Sequence, residues 1–75
     1  MTIDEFIELF AGEFEETPAD KFAADTKFKT LDEWGSLTAL SIISMVDAEM
    51  DKKITGADLR NCGTIEELFN YIQSK

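Results

Sequence analysis

The 75-residue chain contains no histidine, a single cysteine, a single proline and only seven basic residues. Without histidine, neither a Ser-His nor a Cys-His nucleophile pair can form, and the usual Cys/His zinc sets are missing. Cys62 has no second cysteine for an internal disulfide, which fits a reducing compartment. We interpret Cys62 as a small buried apolar residue. These absences leave little room for side-chain catalysis and predict no metal site.

The shortage of basic residues also determines the charge. Sixteen acidic residues against seven basic ones give a net charge of −9. This balance opposes binding to nucleic acid or anionic membranes and favours basic protein partners. No stretch approaches the roughly 20 apolar residues that span a membrane, and the first residues lack the basic start of a secretory signal. We therefore expect a cytoplasmic protein without membrane insertion.

Length and apolar content predict one small folded domain over residues 1–75. Hydrophobic residues make up 44% of the chain, which is enough for a compact core. A chain of this size buries only about 60% of its unfolded surface, so its stability should be modest.

Capping signals and apolar spacing divide the chain into helices. Thr2-Ile-Asp-Glu5 is a capping box for a first helix over about 3–14. Ser36 is a candidate N-cap for a second helix, from 36 or 37 to 50. Thr55 offers a cap for a short third helix that ends near 61 or 63. A fourth helix follows the capping box Thr64-Ile-Glu-Glu67.

The connection over residues 15–35 is long for a compact domain. Its apolar residues are spaced as anchors, so we expect an ordered loop across the helices, held by Phe22, Phe28, Leu31 and Trp34. Thr30-Leu-Asp-Glu33 could cap one short turn. The sequence thus predicts an all-α fold: a small antiparallel four-helix bundle of three longer helices and one short one, with a long loop between helices one and two.

The second helix has two unlike faces at about 100° per residue. The core side is formed by Ala39, Ile42, Ile43, Val46 and Met50. The outward side carries Leu37, Ser41, Ser44 and Ala48, with Met45 at one margin and Asp47 and Asp51 at the other. Because the N-terminus of a helix carries partial positive charge and free N–H groups, a phosphate on the Ser36 hydroxyl would be stabilised there.

The Ser36-Leu37 pair opens a long apolar helix about halfway along a short acidic chain, and this arrangement resembles an acyl carrier protein. The upstream residues 28–34 resemble the hydrophobic approach loop of that family, and the resemblance covers the whole chain. It implies that Ser36 is esterified by 4′-phosphopantetheine, whose thiol carries acyl groups as thioesters. Gly35 stands where the family usually has Asp, so we expect slower modification by a transferase adapted to Asp-Ser-Leu carriers.

The resemblance also implies partners and a role. The protein would be a monomeric carrier and not an enzyme, in fatty acid or related polyketide-type biosynthesis. A phosphopantetheinyl transferase would modify it, and acyl-transferring or synthase enzymes with basic docking patches would approach the partner-binding residues Leu37, Ser41, Ser44, Met45, Asp47, Ala48 and Asp51. Acyl chains would shelter between the helices, where the candidate lining residues, each also interpretable as ordinary core, are Phe6, Ile43, Val46, Ile54, Ile65 and Phe69.

Two other classes of function remain open. One is a helical protein-interaction module that carries nothing. The other is a calcium-binding helix-loop-helix at 47–58, where Asp47, Glu49 and Asp51 occupy the first, third and fifth loop positions. Against calcium, the sixth position has Lys52 in place of Gly, and the twelfth has Asp58 in place of a bidentate Glu.

Overall fold

The computed structural model describes all 75 residues and contains four α-helices and no strand. The helices are α1 (Ile3–Gly12), α2 (Ser36–Met50), α3 (Gly56–Asn61) and α4 (Ile65–Gln73). Two 3₁₀ turns, Ala19–Lys21 and Phe28–Thr30, lie between α1 and α2. The prediction of an all-helical chain is confirmed. None of the helices has the length and apolar character needed to cross a membrane.

Three helices begin with a capping box. In each box the threonine hydroxyl accepts a hydrogen bond from a backbone N–H three residues later. The acidic side chain at that later position in turn accepts from the N–H of the threonine. The pairs are Thr2 with Glu5 for α1, Thr55 with Asp58 for α3, and Thr64 with Glu67 for α4.

One hydrophobic core of fourteen buried residues joins the helices, with α1 packed against α2 and α4 and α2 packed against α3. One part of this core is aromatic. Phe10 is fully buried, and its ring centroid lies 5.4–6.5 Å from those of Phe6, Phe14, Phe22, Phe28 and Trp34. Aromatic pairs of this kind add about 0.5–1.5 kcal/mol each beyond burial. The rest of the core consists of Met45, Cys62 and seven aliphatic residues: Ile42, Val46, Ile54, Leu59, Ile65, Leu68 and Ile72.

Two predicted details are wrong. The first helix ends at Gly12 and not at Phe14, although Phe14 is still buried at 7% exposure. The Phe14 N–H donates to the Ala11 carbonyl at 3.0 Å, so a tight turn after the helix keeps the ring in the core. The chain does turn after Thr30, since the Trp34 N–H donates to the Leu31 carbonyl at 3.0 Å, but the Thr30 hydroxyl donates to the Lys27 carbonyl and does not cap that turn.

The connection over residues 13–35 is fixed at several points. Phe22 and Phe28 are buried within it, and Leu31 and Trp34 pack against the core. Its carbonyls also bond to the start of α4, where the Ile65 and Glu66 N–H groups donate into the connection at 3.2 and 2.9 Å. These contacts determine the path by which the chain reaches Ser36.

Candidate functional site

Ser36 is the first residue of α2 and not its N-cap, so the predicted capping role is wrong. Helical hydrogen bonding starts one residue earlier, because the Ala39 N–H donates to the Gly35 carbonyl at 2.9 Å. Gly35 is therefore the N-cap, with extended backbone and no side-chain hydrogen bond. Ser36 is exposed, and no hydrogen bond involves its hydroxyl. That hydroxyl is free to react.

The first turn of α2 contains no acidic residue. Each of the other helices has at least one acid there. Carboxylates in a first turn offset the partial positive charge of the helix N-terminus. At α2 that charge is left without a carboxylate in the turn, and an anion attached to Ser36 would be favoured there.

A surface cavity of about 310 Å³ opens beside Ser36. It lies between the approach to α2 and the helix α3, and its lining consists of Lys29, Trp34, Gly35, Ser36, Ala39, Gly56, Leu59 and Arg60. The Lys29 ammonium donates to the Arg60 backbone carbonyl at 2.6 Å. Neither Lys29 nor Arg60 forms an ion pair, since the one salt bridge in the structure joins Lys53 to Asp47. Two unpaired cations thus share a cavity with the serine.

The residues before Ser36 are held on both sides. The Trp34 ring packs on Phe28, with centroids 5.0 Å apart, and stacks on Phe14 at 6.4 Å. The carboxylate of Glu33 contacts residues 15–17, which follow α1 in the chain. Thr38, in the first turn of α2, donates from its hydroxyl to the Glu33 carbonyl at 2.8 Å.

The Glu33 carboxylate accepts four hydrogen bonds. They come from the Thr17 hydroxyl and N–H, both at 2.7 Å, and from the N–H groups of Glu15 and Glu16, both at 2.9 Å. The bond from the Thr17 hydroxyl lowers the pKa of Glu33 most. Partial burial opposes that shift, and the three backbone N–H groups add to it, leaving the pKa below the ordinary value of 4.5. Bonds to the charged form favour ionisation.

A groove of about 560 Å³ runs beside α2 and α1, lined by Leu9, Glu13, Leu37, Leu40, Ser41, Ser44, Met45, Ala48 and Glu49. It brings together five of the seven predicted partner-binding residues: Leu37, Ser41, Ser44, Met45 and Ala48. Leu37 is 81% exposed and Leu40 is 59% exposed. Leu40 was not among the predicted partner-binding residues. Met45 is only 6% exposed, so its predicted role as an exposed contact is wrong. Its side chain belongs to the core.

The other two predicted partner-binding residues lie outside this groove. The Asp47 carboxylate accepts from the Lys53 ammonium at 3.3 Å, and the ion pair is exposed. Asp51 ends α2 with a left-handed backbone at φ 54°. Both are exposed, but the acids that line the groove are Glu13 and Glu49.

The candidate acyl-lining residues all belong to the core or pack against it. Phe6, Val46, Ile54 and Ile65 are buried, and Ile43 and Phe69 are partly buried. The rings of Phe6 and Phe69 lie 5.3 Å apart. Cys62 is buried as predicted, and burial raises the pKa of its thiol.

The calcium interpretation of residues 47–58 has no geometric basis in the structure. No three acidic or cysteine side chains are placed where they could hold a metal ion. Asp47 is occupied by Lys53, while Asp58 accepts from the Thr55 N–H at 2.9 Å and from the Tyr71 hydroxyl at 2.7 Å. Two of the acidic positions of the loop, Asp47 and Asp58, are therefore engaged in other contacts.

The site around Ser36 combines contributions that sequence reasoning found with others that it missed. The exposed serine at a helix start was visible in the sequence. Lys29 and Arg60 were not, because they converge only when α3 packs beside the approach to α2. Comparison with protein-family models, with curated proteins and with solved structures finds no match to this chain.

Proposed function

We propose that this protein is an acyl carrier protein, which carries acyl groups as thioesters on a 4′-phosphopantetheine arm attached to Ser36. The observation that carries the proposal is the exposed, unbonded hydroxyl at the first residue of α2. That hydroxyl lies at a helix start without its own carboxylate, and it shares a surface cavity with two unpaired cations, Lys29 and Arg60. The resemblance of residues 28–37 to the approach loop and attachment serine of the family supports the same function.

The residues present fit the phosphate of such an arm. Its negative charge would be held by the N–H groups at the start of α2 and by the Lys29 and Arg60 side chains. The arm itself supplies the thiol that bonds to the cargo. The protein supplies position and recognition, so it is a carrier and not an enzyme.

The proposal includes a finer architecture than helix content alone. The helices form an antiparallel bundle, and the connection over 13–35 is the long loop that delivers Ser36 to one end. Contacts of α1 with α2 and α4 are compatible with this arrangement. The protein acts as a monomer in the cytoplasm, in fatty acid or polyketide-type biosynthesis.

The partners are a phosphopantetheinyl transferase and acyl-transferring or synthase enzymes with basic patches. The groove between α1 and α2 supports their docking, since Leu37, the residue after Ser36, and Leu40 present apolar surface next to the acidic Glu13 and Glu49. Opposite charges at a rim steer the encounter and fix orientation, while the apolar centre supplies contact.

An acyl chain that enters the bundle would stabilise the folded protein. Burying each methylene is worth about 0.8 kcal/mol, so a protein loaded with a longer acyl chain should melt at a higher temperature. A melting temperature that does not change with acyl length would place the chain in solvent.

Intact-mass spectrometry after co-expression with a phosphopantetheinyl transferase tests the function directly. The wild-type protein should gain the mass of one 4′-phosphopantetheine group, and Ser36→Ala should gain nothing. Ser74→Ala, another exposed serine at the far end of α4, is the control that should load fully. Loading of Ser36→Ala would show that the attachment site is wrong.

A second candidate function is a helical interaction module that carries no prosthetic group. The exposure of Leu37 and Leu40 favours it, because a monomer has no structural need to present two large apolar side chains. The same mass measurement separates the candidates. A wild-type protein that never gains the arm, but still binds partners through this groove, would favour the module.

A further inference from the structure

Glu33 connects two segments that are far apart in the chain, one through its carboxylate and the other through its backbone carbonyl. On one side, three consecutive backbone N–H groups at residues 15–17 and the Thr17 hydroxyl all point to the carboxylate, at 2.7–2.9 Å. Successive N–H groups that converge in this way form a concavity for an anion. Bonds to a charged acceptor are roughly twice as strong as neutral ones.

On the other side, the backbone of Glu33 is bound to α2. The Thr38 hydroxyl, within the first turn of the helix, donates to the Glu33 carbonyl at 2.8 Å. Glu33 thus joins the chain that leaves α1 to the turn that contains Ser36. We call this set of contacts the Glu33 clasp, formed by Glu33 with its donors Glu15, Glu16, Thr17 and Thr38.

We propose that Glu33 is a positioning residue, which holds the start of α2 in the orientation that presents the Ser36 hydroxyl to the modifying enzyme. The inference rests on the proposed function, but the clasp can also be tested without loading. Gly35, two residues after Glu33, has no side chain that could hold the backbone in place. The path of the backbone there must therefore be determined by the two residues before it. Trp34 does this through the aromatic core and Glu33 through hydrogen bonds. A small displacement of a reacting group can lower a rate by orders of magnitude.

Loading kinetics of Glu33→Gln test the positioning role. The amide keeps the size of the side chain but removes its charge and one of its two acceptor oxygens. We expect kcat for loading to fall about tenfold, with KM changed much less, because a misplaced serine still docks but reacts slowly. Asp32→Asn is the matched control: it removes one charge at the neighbouring residue, whose side chain makes no hydrogen bond. Equal kcat values for the two variants would overturn the proposal.

Thr17→Val provides a second variant that leaves every charge in place. It removes the hydroxyl that donates to Glu33 and keeps the shape of the side chain. We expect a smaller fall in kcat in the same direction. Combined with Glu33→Gln, it should lower kcat by less than the product of the two single effects, because both act through one contact. Fully multiplicative effects would contradict the clasp.

Amide hydrogen exchange tests the clasp independently of the proposed function. In Glu33→Gln the amides at residues 15–17 and the amide of Ala39, which makes the first backbone hydrogen bond of α2, should exchange faster, whereas those of α4 should not change. If the wild-type protein is never loaded but this exchange pattern is found, the carrier function fails and the clasp is supported as a structural link. If exchange at Ala39 is the same in Glu33→Gln and Asp32→Asn, Glu33 does not hold the start of α2.

Discussion

The starts of α1, α3 and α4 are built alike, and the start of α2 is built differently. The first three each have a threonine cap, an acidic partner three residues later and a carboxylate in the first turn. α2 begins after Gly35 with no side-chain cap and no acid, and it exposes Ser36 and Leu37 instead. Yet α2 is the longest helix and buries Ile42 and Val46 completely. Burial of these side chains holds the body of α2 in place, so the helix does not depend on a side-chain cap at its first turn.

Acid should produce the largest effect, because it acts on several of these contacts at once. The Thr2 N–H bond lowers the pKa of Glu5, and the bond from the Tyr71 hydroxyl, followed by the Thr55 N–H, lowers the pKa of Asp58. Glu33 is a third carboxyl group whose pKa is lowered in the folded protein. The ordinary pKa values are 4.5 for Glu5 and Glu33 and 3.8 for Asp58, so all three bind protons less readily when the protein is folded. Their contribution is therefore complete above those values and is lost as the pH falls through the lower folded values.

We expect the melting temperature to be nearly constant from pH 7 to about 5 and then to drop steadily toward pH 3. Glu5→Gln and Glu33→Gln should each reduce that drop, since each removes one of the responsible groups. An unchanged melting temperature down to pH 3 would mean that these hydrogen bonds contribute nothing to stability.

Removing a cap should have the next largest effect, and it should differ between the helices. Thr64→Ala removes the hydroxyl that accepts from the Glu67 N–H at 3.1 Å, which should cost about 0.5–2 kcal/mol. Ser36→Ala removes a hydroxyl with no partner, so its free energy of unfolding should stay within about 0.5 kcal/mol of wild type. Urea denaturation measures both. Equal losses would show that Ser36 does cap α2 in solution.

The same contrast shows which features were predictable from the sequence. A capping box lies within four residues, so Thr2, Thr55 and Thr64 could be identified without knowing the fold. The apolar spacing likewise indicated α1, α2 and α4, and the cap at Thr55 indicated α3; the predicted end of α1 was wrong by two residues. The N-cap of α2 was misplaced by one residue, at Ser36 in place of Gly35, because the bond that defines it joins backbone groups, which carry no side-chain signal.

Other features depend on tertiary packing and were not predictable. Met45 lies near the edge of the outward side by helical geometry, and only its membership of the folded core shows that it is buried. Lys29 and Arg60 meet beside Ser36 from separate segments. The bonds from residues 15–17 to Glu33 likewise span a long loop, whose path the sequence pattern leaves open.

The exposed leucines of α2 allow a test of what its open first turn is for. Leu37→Ala together with Leu40→Ala should raise KM for loading or acyl transfer about fivefold, which corresponds to a loss of about 1 kcal/mol for the pair at the interface. Glu49→Lys should raise KM less, and its effect should shrink with added salt, as expected for a charge at the rim. Asp47→Lys is the control, since Asp47 lies outside the groove. Unchanged KM in the leucine variant would place docking elsewhere.

Loading should make the start of α2 resemble the other helix starts by adding a negative charge. A phosphate there should stabilise the protein by about 0.3–1 kcal/mol relative to the unloaded form. Lys29→Gln with Arg60→Gln should remove much of that gain, whereas Lys27→Gln, an exposed lysine outside the cavity, should not. The measurement compares urea denaturation of loaded and unloaded protein for each variant. A gain of equal size in all variants would show that the two cations do not hold the phosphate.

Gly35→Asp should have the smallest effect on stability, and it would give α2 the acidic cap that it lacks. The backbone at Gly35 is extended, with φ −173°, and a Cβ added there meets no atom within 4 Å, so aspartate fits without strain. Because glycine is itself a tolerated N-cap, the gain should be only about 0.3–0.5 kcal/mol. Loading by a transferase adapted to Asp-Ser-Leu carriers should become faster. Gly35→Ala adds the same Cβ without the carboxylate and serves as the control. If the two variants load at the same rate, the carboxylate before Ser36 does not contribute to recognition, and the open start of α2 is sufficient for modification.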